Sequence, residues 1–330
     1  MSKRKLEGVK WYIDAAAHAR GEPSIYNSFV GSLATSLKAI RKEVDPNWLM
    51  GTSAFAFRIY INEVMCPSAM SVFDWSAILP EAVEQAGYCC TYVSRYWHEQ
   101  NKKKERRLEA QQNIIQAITQ GIPCIVWDVQ IPEWGIIFGY DDRARIFDSL
   151  ACTGDTRSIP FAELGQREIK ILSVAIPGKP NGRAREDVIL GSLRAAVRHA
   201  EQKEWLERPK YQDGLPAFDL WAKILEPGTN KNTQFEWAGY YAGHYYGARC
   251  CARDYLKNIA DGTQDLEEAA ATYERVASFL KPLWDHFPRP QNAQKPSDAI
   301  LRSLADSIRK AKAAEEKGIE QIKRYITKHS

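Results

Sequence analysis

A serine at the start of a predicted helix, with carboxylates on two later strands, is the pattern in this chain that is suited to acyl chemistry. The helix begins near Ser28, and its apolar residues recur at helical spacing on one face: Phe29, Leu33, Leu37 and Ile40. Two adjacent strand patterns come much later, EWGIIFGYDD over 133–142 and RARIFDS over 143–149. A nucleophile at a helix N-terminus, with a base and a carboxylate on neighbouring strands, serves acyl transfer and amide hydrolysis.

These segments resemble the papain-like fold. Within it, they resemble the bacteriocin-processing (double-glycine leader) cysteine peptidases and the N-terminal domain of the butirosin-biosynthesis acyltransferase. The resemblance covers about residues 20–180 and rests on SIYNSFVGSLATSL, EWGIIFGYDD and IFDS. In that branch a cysteine opens a helix, a histidine begins a strand that ends in a Gly-Tyr-Asp-like turn, and an aspartate closes the next strand. The resemblance implies a cleft between the helix and the strand pair.

Carried onto this sequence, the resemblance places the nucleophile at Ser28, the base at Glu133 and the third carboxylate at Asp148. The chain departs from the family at the first two positions, which hold neither cysteine nor histidine. Asn27 and Ser32 are the alternative nucleophile positions if the register slips. A serine must lose its proton to a competent base, and an ordinary glutamate, with a pKa of about 4.3, is a weak base at neutral pH. The three residues resemble the Ser/Glu/Asp set of acid-acting sedolisin-type peptidases, which have an unrelated fold.

Each of the three residues also has a structural interpretation. Ser28 is a residue type that caps a helix or bonds in its first turn. Glu133 follows Pro132 at a strand start, where an exposed carboxylate is common, and Asp148 can open the turn that follows its strand. Both interpretations stay open at this point.

The segment GYYAGHYYGARCCARDYL over 239–256 has the most unusual composition in the chain. Glycines at 239, 243 and 247 form a stripe that lets a helix approach its neighbour closely. One interpretation is an aromatic pocket in which His244 faces the cleft of the first domain; the other is a tightly packed helix with a hydrogen-bonded histidine. The predicted ligand-binding residues are Asn27, Trp134, Tyr140, Tyr241 and His244.

Strand and helix patterns predict an α+β fold in the first half of the chain. Strands are predicted at 55–61, 88–94, 122–129, 134–140, 144–149 and 168–176, and helices at about 5–20, 28–41, 71–86 and 105–120. Three of the strands are joined by short connections, so the sheet should be mainly antiparallel. PGKPNGR at 177–183 predicts a domain boundary. The expected organisation is a papain-like domain at 1–178 followed by an all-helical domain at 179–330, with helices at 265–285 and after Ser297.

Composition and charge exclude several classes of function. The 330 residues carry 45 Lys plus Arg against 41 Asp plus Glu, so the net charge of +4 gives no general nucleic-acid footprint. No apolar stretch is long enough for a membrane span, and the N-terminus does not look like a secretory signal. Scattered histidines and seven cysteines without a CxxC pair predict reduced thiols, no metal site and no cofactor. A cytoplasmic protein is expected, with no nucleic-acid or membrane partner.

Three functions remain as hypotheses. The first is a catalytically degenerate papain-like protein that binds a small molecule, a peptide or an acyl group in the cleft. The second is an acyltransferase or amide hydrolase that uses Ser28, Glu133 and Asp148, with secondary metabolism as one setting. The third is an interaction protein that forms a homodimer through the glycine stripe.

Overall fold

The computed structural model describes residues 2–13, 24–41, 43–202, 204, 210–229, 232–287 and 295–329. Within them the strands are β1 (Lys3–Lys5), β2 (Tyr60–Asn62), β3 (Tyr88–Arg95), β4 (Cys124–Trp127), β5 (Trp134–Asp141), β6 (Ile146–Leu150), β7 (Thr156–Pro160), β8 (Leu172–Pro180) and β9 (Tyr211–Asp213). The helices are α1 (Ser28–Ile40), α2 (Pro46–Thr52), α3 (Trp75–Gln85), α4 (Lys103–Thr119), α5 (Arg185–Ala200), α6 (Gly214–Leu225), α7 (Ala238–Ala260), α8 (Gln264–His286) and α9 (Asp298–Lys328).

The chain forms two compact units. Unit 1 contains the described residues of 2–13, 27–49 and 75–183; unit 2 contains 24–26, 50–74 and the described residues from 184 onward. The division lies near the predicted boundary, but residues 24–26 and 50–74, which the prediction assigned to the first domain, pack in unit 2. Residues 50–74 do so because β2 pairs with β9 and because Gly51 lies against the ring of Tyr255. Residues 24–26 do so because Ser24 and Tyr26 lie against Gly247 and Gly243 of α7.

Unit 1 is built on an antiparallel sheet in the order β3-β8-β4-β5-β6-β7, with β1 paired to the far end of β5. The short connections between β4 and β7 allow only antiparallel neighbours, as expected. The α+β class and the mainly antiparallel sheet are therefore confirmed, and the C-terminal part of the chain is helical.

The two faces of this sheet pack against different helices. Cys124 and Ile137 are paired across β4 and β5, and they lie in the core cluster that includes Ile114 of α4. Trp127 and Trp134, three pairs further along the ladder, point to the other face, because side chains alternate along a strand. There Trp134 contacts Phe29 of α1. Helix α1 therefore lies on the opposite side of the sheet from α4.

Unit 2 is held by the long helices α7, α8 and α9, whose apolar faces are buried against one another. Ser297 caps α9 as predicted, accepting from the Ile300 N–H. At the centre, the Nε of Arg249 donates to Oε2 of Glu315 at 3.0 Å, and both side chains are almost fully buried. No described helix is both long and apolar enough to cross a membrane.

Three predictions of secondary structure differ from the structure. The helix predicted at about 5–20 does not form in the described residues: residues 3–5 form strand β1, and residues 6–13 are non-helical. Residues 14–20 lie outside the described part of the chain. The segment at 55–61, predicted as a strand, is mostly a turn, in which the Phe57 N–H donates to the Ala54 carbonyl. Both sets of its alternating side chains are buried, whereas a half-buried strand would bury only one. The helical second half also contains the three-residue strand β9.

Candidate functional site

Helix α1 starts with a side-chain cap, and that cap is Asn27 rather than Ser28. Oδ1 of Asn27 accepts from the Val30 N–H at 2.9 Å, and its backbone carbonyl accepts from the Gly31 N–H. This is the usual use of asparagine at an N-cap. The cap engages the side-chain oxygen of Asn27, which was predicted as a ligand-binding residue. Ser28, the first helical residue, therefore has no capping role.

Ser28 instead contacts the start of β5. Its Oγ donates to Oε2 of Glu133 at 2.5 Å and accepts from the backbone N–H of Trp134 at 3.3 Å. The serine and the glutamate are 105 positions apart in the chain, and the serine is only 7% exposed. Hydrogen bonds from a hydroxyl to a carboxylate are short and strong because one partner carries charge. The structure therefore brings together the residues predicted as nucleophile and base.

Three tryptophans pack beside this pair. Trp134 follows Glu133 directly, and its ring lies 4.5 Å from that of Trp127 and 4.8 Å from that of Trp75 between centroids. Phe29, which follows Ser28, meets Trp134 edge to face at 5.8 Å. All four rings are at most 4% exposed. The hydroxyl–carboxylate pair thus borders an apolar aromatic cluster, which strengthens its electrostatic interaction.

Asp148, the predicted third member, lies elsewhere on the sheet. It pairs with Gly139 across β5 and β6, and its carboxylate accepts from the hydroxyl of Ser158 on β7. Gly139 is six residues along the chain from Glu133, which corresponds to about 20 Å at strand spacing. The tight β5–β6 hairpin sets this register, in which Ile136 already faces Leu150. The residues beyond Leu150 thus lie nearest Glu133.

Cys152 is one of those residues. Burial raises the pKa of its thiol to about 12, and the negative charge of Glu133 adds to the effect. A thiol held protonated in this way is a poor nucleophile. Cys152 therefore offers no substitute for the cysteine that the resemblance implies.

Tyr140 is also remote from Ser28 and Glu133. It belongs to the core cluster beneath α4, and its hydroxyl lies 3.0 Å from Oγ of Ser2 and 3.2 Å from Oγ1 of Thr119. A register shift in the β5–β6 pairing turns this end of the strand. The predicted ligand-binding role of Tyr140 is thus replaced by packing at the far end of β5.

His244 and Tyr241 lie in the core of unit 2. The hydroxyl of Tyr241 donates to the Cys66 carbonyl at 2.6 Å, and its ring packs on Trp221. Burial, helped by the charge of Arg249, lowers the pKa of His244 to about 3. Its ring meets Tyr245 edge to face at 5.0 Å, and its Nδ1 is buried without a hydrogen-bond partner among the described atoms. His244 is therefore neutral at physiological pH.

The glycine stripe of α7 makes its close approach within the same chain. A β-carbon at Gly247 would lie 2.2 Å from the Ser24 carbonyl oxygen, and one at Gly243 would meet the rings of Trp284 and Tyr26. The close packing predicted from the glycine spacing is thus present, with the chain's own residues 24–26 as one neighbour. A dimer through these glycines would have to displace them.

Several residues of the site carry no signal of their own in the sequence. Trp75 lies 59 positions before Trp134, and nothing in either segment indicates that they meet. Arg167, which contacts the loop that leads into Glu133, lies in an irregular segment before β8. Trp134 is the member of the cluster that the sequence predicted as a ligand-binding residue, since rigid aromatics often line clefts.

Comparison with known proteins gives no independent assignment: no protein-family model matches the chain, and no curated protein is significantly similar to it. Among the described residues, no group of three or more His, Cys, Asp or Glu side chains is arranged to hold a metal ion. The chemistry of the site therefore has to be argued from the serine, the glutamate and the aromatic cluster.

Proposed function

We propose that this protein is a catalytically degenerate papain-like protein that binds a small molecule, a peptide or an acyl group where Ser28 and Glu133 meet. The observation that carries the proposal is the 2.5 Å hydrogen bond between them. The two residues come from the segments that resemble the nucleophile and base segments of the papain-like family. A helix N-terminus against the start of an antiparallel strand is the arrangement that this resemblance implies.

The hydrogen bonding of Ser28 supports a binding role over a catalytic one. Its proton is directed to Glu133 and its oxygen accepts from the Trp134 N–H. The Trp134 N–H draws on one of the two lone pairs of this oxygen and so lowers its nucleophilicity. With Asp148 elsewhere on the sheet, the pair lacks the third residue of the family pattern.

The surroundings favour a ligand with an oxygen acceptor and an apolar part. The N-terminus of α1 carries the positive end of the helix dipole, which attracts a carbonyl or carboxylate oxygen. The buried tryptophan cluster provides apolar surroundings next to it. Acyl groups and peptides combine these two features. We also propose a cytoplasmic location, because the seven free thiols suit a reducing compartment.

An acyltransferase or amide hydrolase is the second candidate, because the same hydrogen bond also places a carboxylate where it could accept the proton of the serine hydroxyl. Oγ would attack the acyl carbonyl carbon while its proton passes to the Glu133 carboxylate, and that proton would then leave with the thiol or amine of the donor. The acyl group would be passed from Ser28 to water or to a second acceptor. The distance is already short enough for the proton transfer.

One experiment separates the two candidates. The protein is incubated with acetyl and hexanoyl thioesters of N-acetylcysteamine at pH 5 and pH 7.5, and followed by intact-mass spectrometry and by NMR of its ¹⁵N-labelled tryptophan indoles. Ser28→Ala is compared with Ser32→Ala, which removes a buried hydroxyl one turn further along α1.

Indole shifts of Trp127 and Trp134 without a mass change support the binding protein. An acyl adduct that is present in the Ser32→Ala variant and absent from the Ser28→Ala variant supports the enzyme. If neither shift nor adduct occurs with either thioester at either pH, both candidates fail for acyl ligands.

A further inference from the structure

The loop that leads into Glu133 is closed on itself. It joins β4 to β5 over residues 128–133, and the N–H of Asp128 donates to the carbonyl of Glu133 at 2.9 Å. The N–H of Glu133 donates in turn to the Ile131 carbonyl at 2.7 Å. Both backbone polar groups of Glu133 are thus used within the loop. The position of its side chain therefore depends on the shape of this loop.

Asp128 holds that shape in an uncommon conformation. Its φ of +53° lies in the left-handed region, which disfavours residues with a side chain. A glycine would adopt this backbone more easily, and aspartate tolerates it better than most residues with a side chain. Strained backbone of this kind persists only where its surroundings fix it.

The surroundings that fix Asp128 come from the segment before β8. Its Oδ2 accepts from the Ile169 N–H at 3.3 Å and its Oδ1 from Nε of Arg167 at 3.4 Å, while the residue is only 4% exposed. Burial raises the pKa of the Asp128 carboxyl, and these two donors act against that rise. The buried carboxylate is therefore paired rather than isolated.

Arg167 grips the loop at a second point. Its Nη2 donates to the Gln130 carbonyl at 3.0 Å, and its Nη1 is anchored on Oε2 of Glu163 at 3.0 Å. One planar guanidinium thus joins the first and third residues of the loop to the segment at 161–171. A lysine could not make these directed bonds together.

We infer that Arg167 is a positioning residue for the Ser28–Glu133 site: it clamps the loop at 128–133 through Asp128 and Gln130 and so holds the Glu133 carboxylate at the Ser28 hydroxyl. Arg167 acts through the loop. The inference rests on the proposed function only in that the positioned Ser28–Glu133 pair then serves to bind a ligand or to react with it.

The test follows the backbone amide of Trp134, which is protected by Oγ of Ser28. Amide hydrogen exchange is measured by NMR in the whole protein for the wild type, Arg167→Met and the control Arg143→Met, an exposed arginine in the β5–β6 turn. The Trp134 amide should exchange about tenfold faster in Arg167→Met, while the Ile136 and Ile137 amides keep their wild-type rates. A merely structural loss would accelerate all three amides together.

A double-mutant cycle checks that Arg167 acts through Asp128. Glycine adopts the left-handed backbone without a buried carboxylate, so Arg167→Met should have at most half of its effect on the logarithm of the Trp134 exchange rate in an Asp128→Gly background. An effect of the same size in both backgrounds overturns the inference, as does an unchanged Trp134 amide in a folded Arg167→Met protein.

This test needs no ligand, so it fails or succeeds separately from the proposed function. Faster Trp134 exchange in Arg167→Met, together with a wild type that neither binds nor reacts with the thioesters, keeps the clamp and removes the function. The reverse result keeps the function and removes the clamp.

Discussion

Replacement of His244 by phenylalanine should make the protein more resistant to acid. In the folded protein burial and Arg249 lower the pKa of His244 from 6.5 to about 3, whereas the unfolded chain keeps the ordinary value. Between these two values the unfolded chain binds a proton that the folded protein does not. The free energy of unfolding therefore falls as the pH falls through this window.

The size of the effect follows from the shift. From pH 6.5 to pH 4 the unfolded state gains about 1.4 kcal/mol per pH unit, so His244 alone should destabilise the wild type by about 3 kcal/mol at pH 4 relative to pH 7. His244→Phe removes this pH-dependent destabilisation and also the buried Nδ1, which has no hydrogen-bond partner among the described atoms. At pH 7 the variant should be within about 1 kcal/mol of the wild type.

Urea unfolding followed by circular dichroism at pH 7, 5.5 and 4 measures the difference between the two proteins. Other acid-sensitive groups are common to both and cancel. His286→Phe, in which an exposed histidine of α8 is replaced, is the control for the loss of one imidazole. A wild type and a His244→Phe variant whose stabilities change in parallel with pH would refute the reasoning, as would an NMR titration of His244 centred near 6.5.

Three other substitutions test the packing. Alanine at a helical glycine normally stabilises by about 1 kcal/mol, but Gly247→Ala should cost about 2 kcal/mol because its β-carbon meets the Ser24 carbonyl; a stabilised variant in urea unfolding would contradict this. Glu315→Gln leaves the Arg249 charge buried without its partner and should cost about 3–5 kcal/mol by the same assay, and a cost below 1 kcal/mol would show that the pair is not buried. Asn27→Ala removes the α1 cap and should cost about 0.5–2 kcal/mol in thermal unfolding; an unchanged melting temperature would contradict the cap.

The sequence predicted elements whose signal is local. Helix α1 has a clear 3.6-residue pattern, and strands β5 and β6 are rich in β-branched and aromatic residues; all three form where expected. The segment at 55–61 has an equally clear alternation, yet both sets of side chains are buried in unit 2, so it forms mostly a turn. Strand β1 has no apolar pattern because its pairing with β5 is made by backbone groups.

The site could be predicted only in part for a similar reason. Ser28 and Glu133 lie at the ends of strongly patterned elements, and a resemblance that aligned those elements was enough to bring the two together. Asp148 was matched to the aspartate that closes the next strand in the family. The hairpin register, which depends on the length of the turn, pairs it with Gly139 instead of placing it at Glu133. The contact between Arg167 and Asp128 joins residues 39 positions apart, and no local sequence pattern predicts such a contact.

The most direct test of the proposed function is whether Ser28 and Glu133 interact as a pair. The free energy of unfolding is measured for the wild type, Ser28→Ala, Glu133→Gln and the double variant at pH 7. A hydroxyl bonded to a carboxylate at 2.5 Å predicts a coupling energy between about 1.5 and 3 kcal/mol. Additive effects, with a coupling energy below about 0.5 kcal/mol, would contradict the pairing on which the proposed function rests.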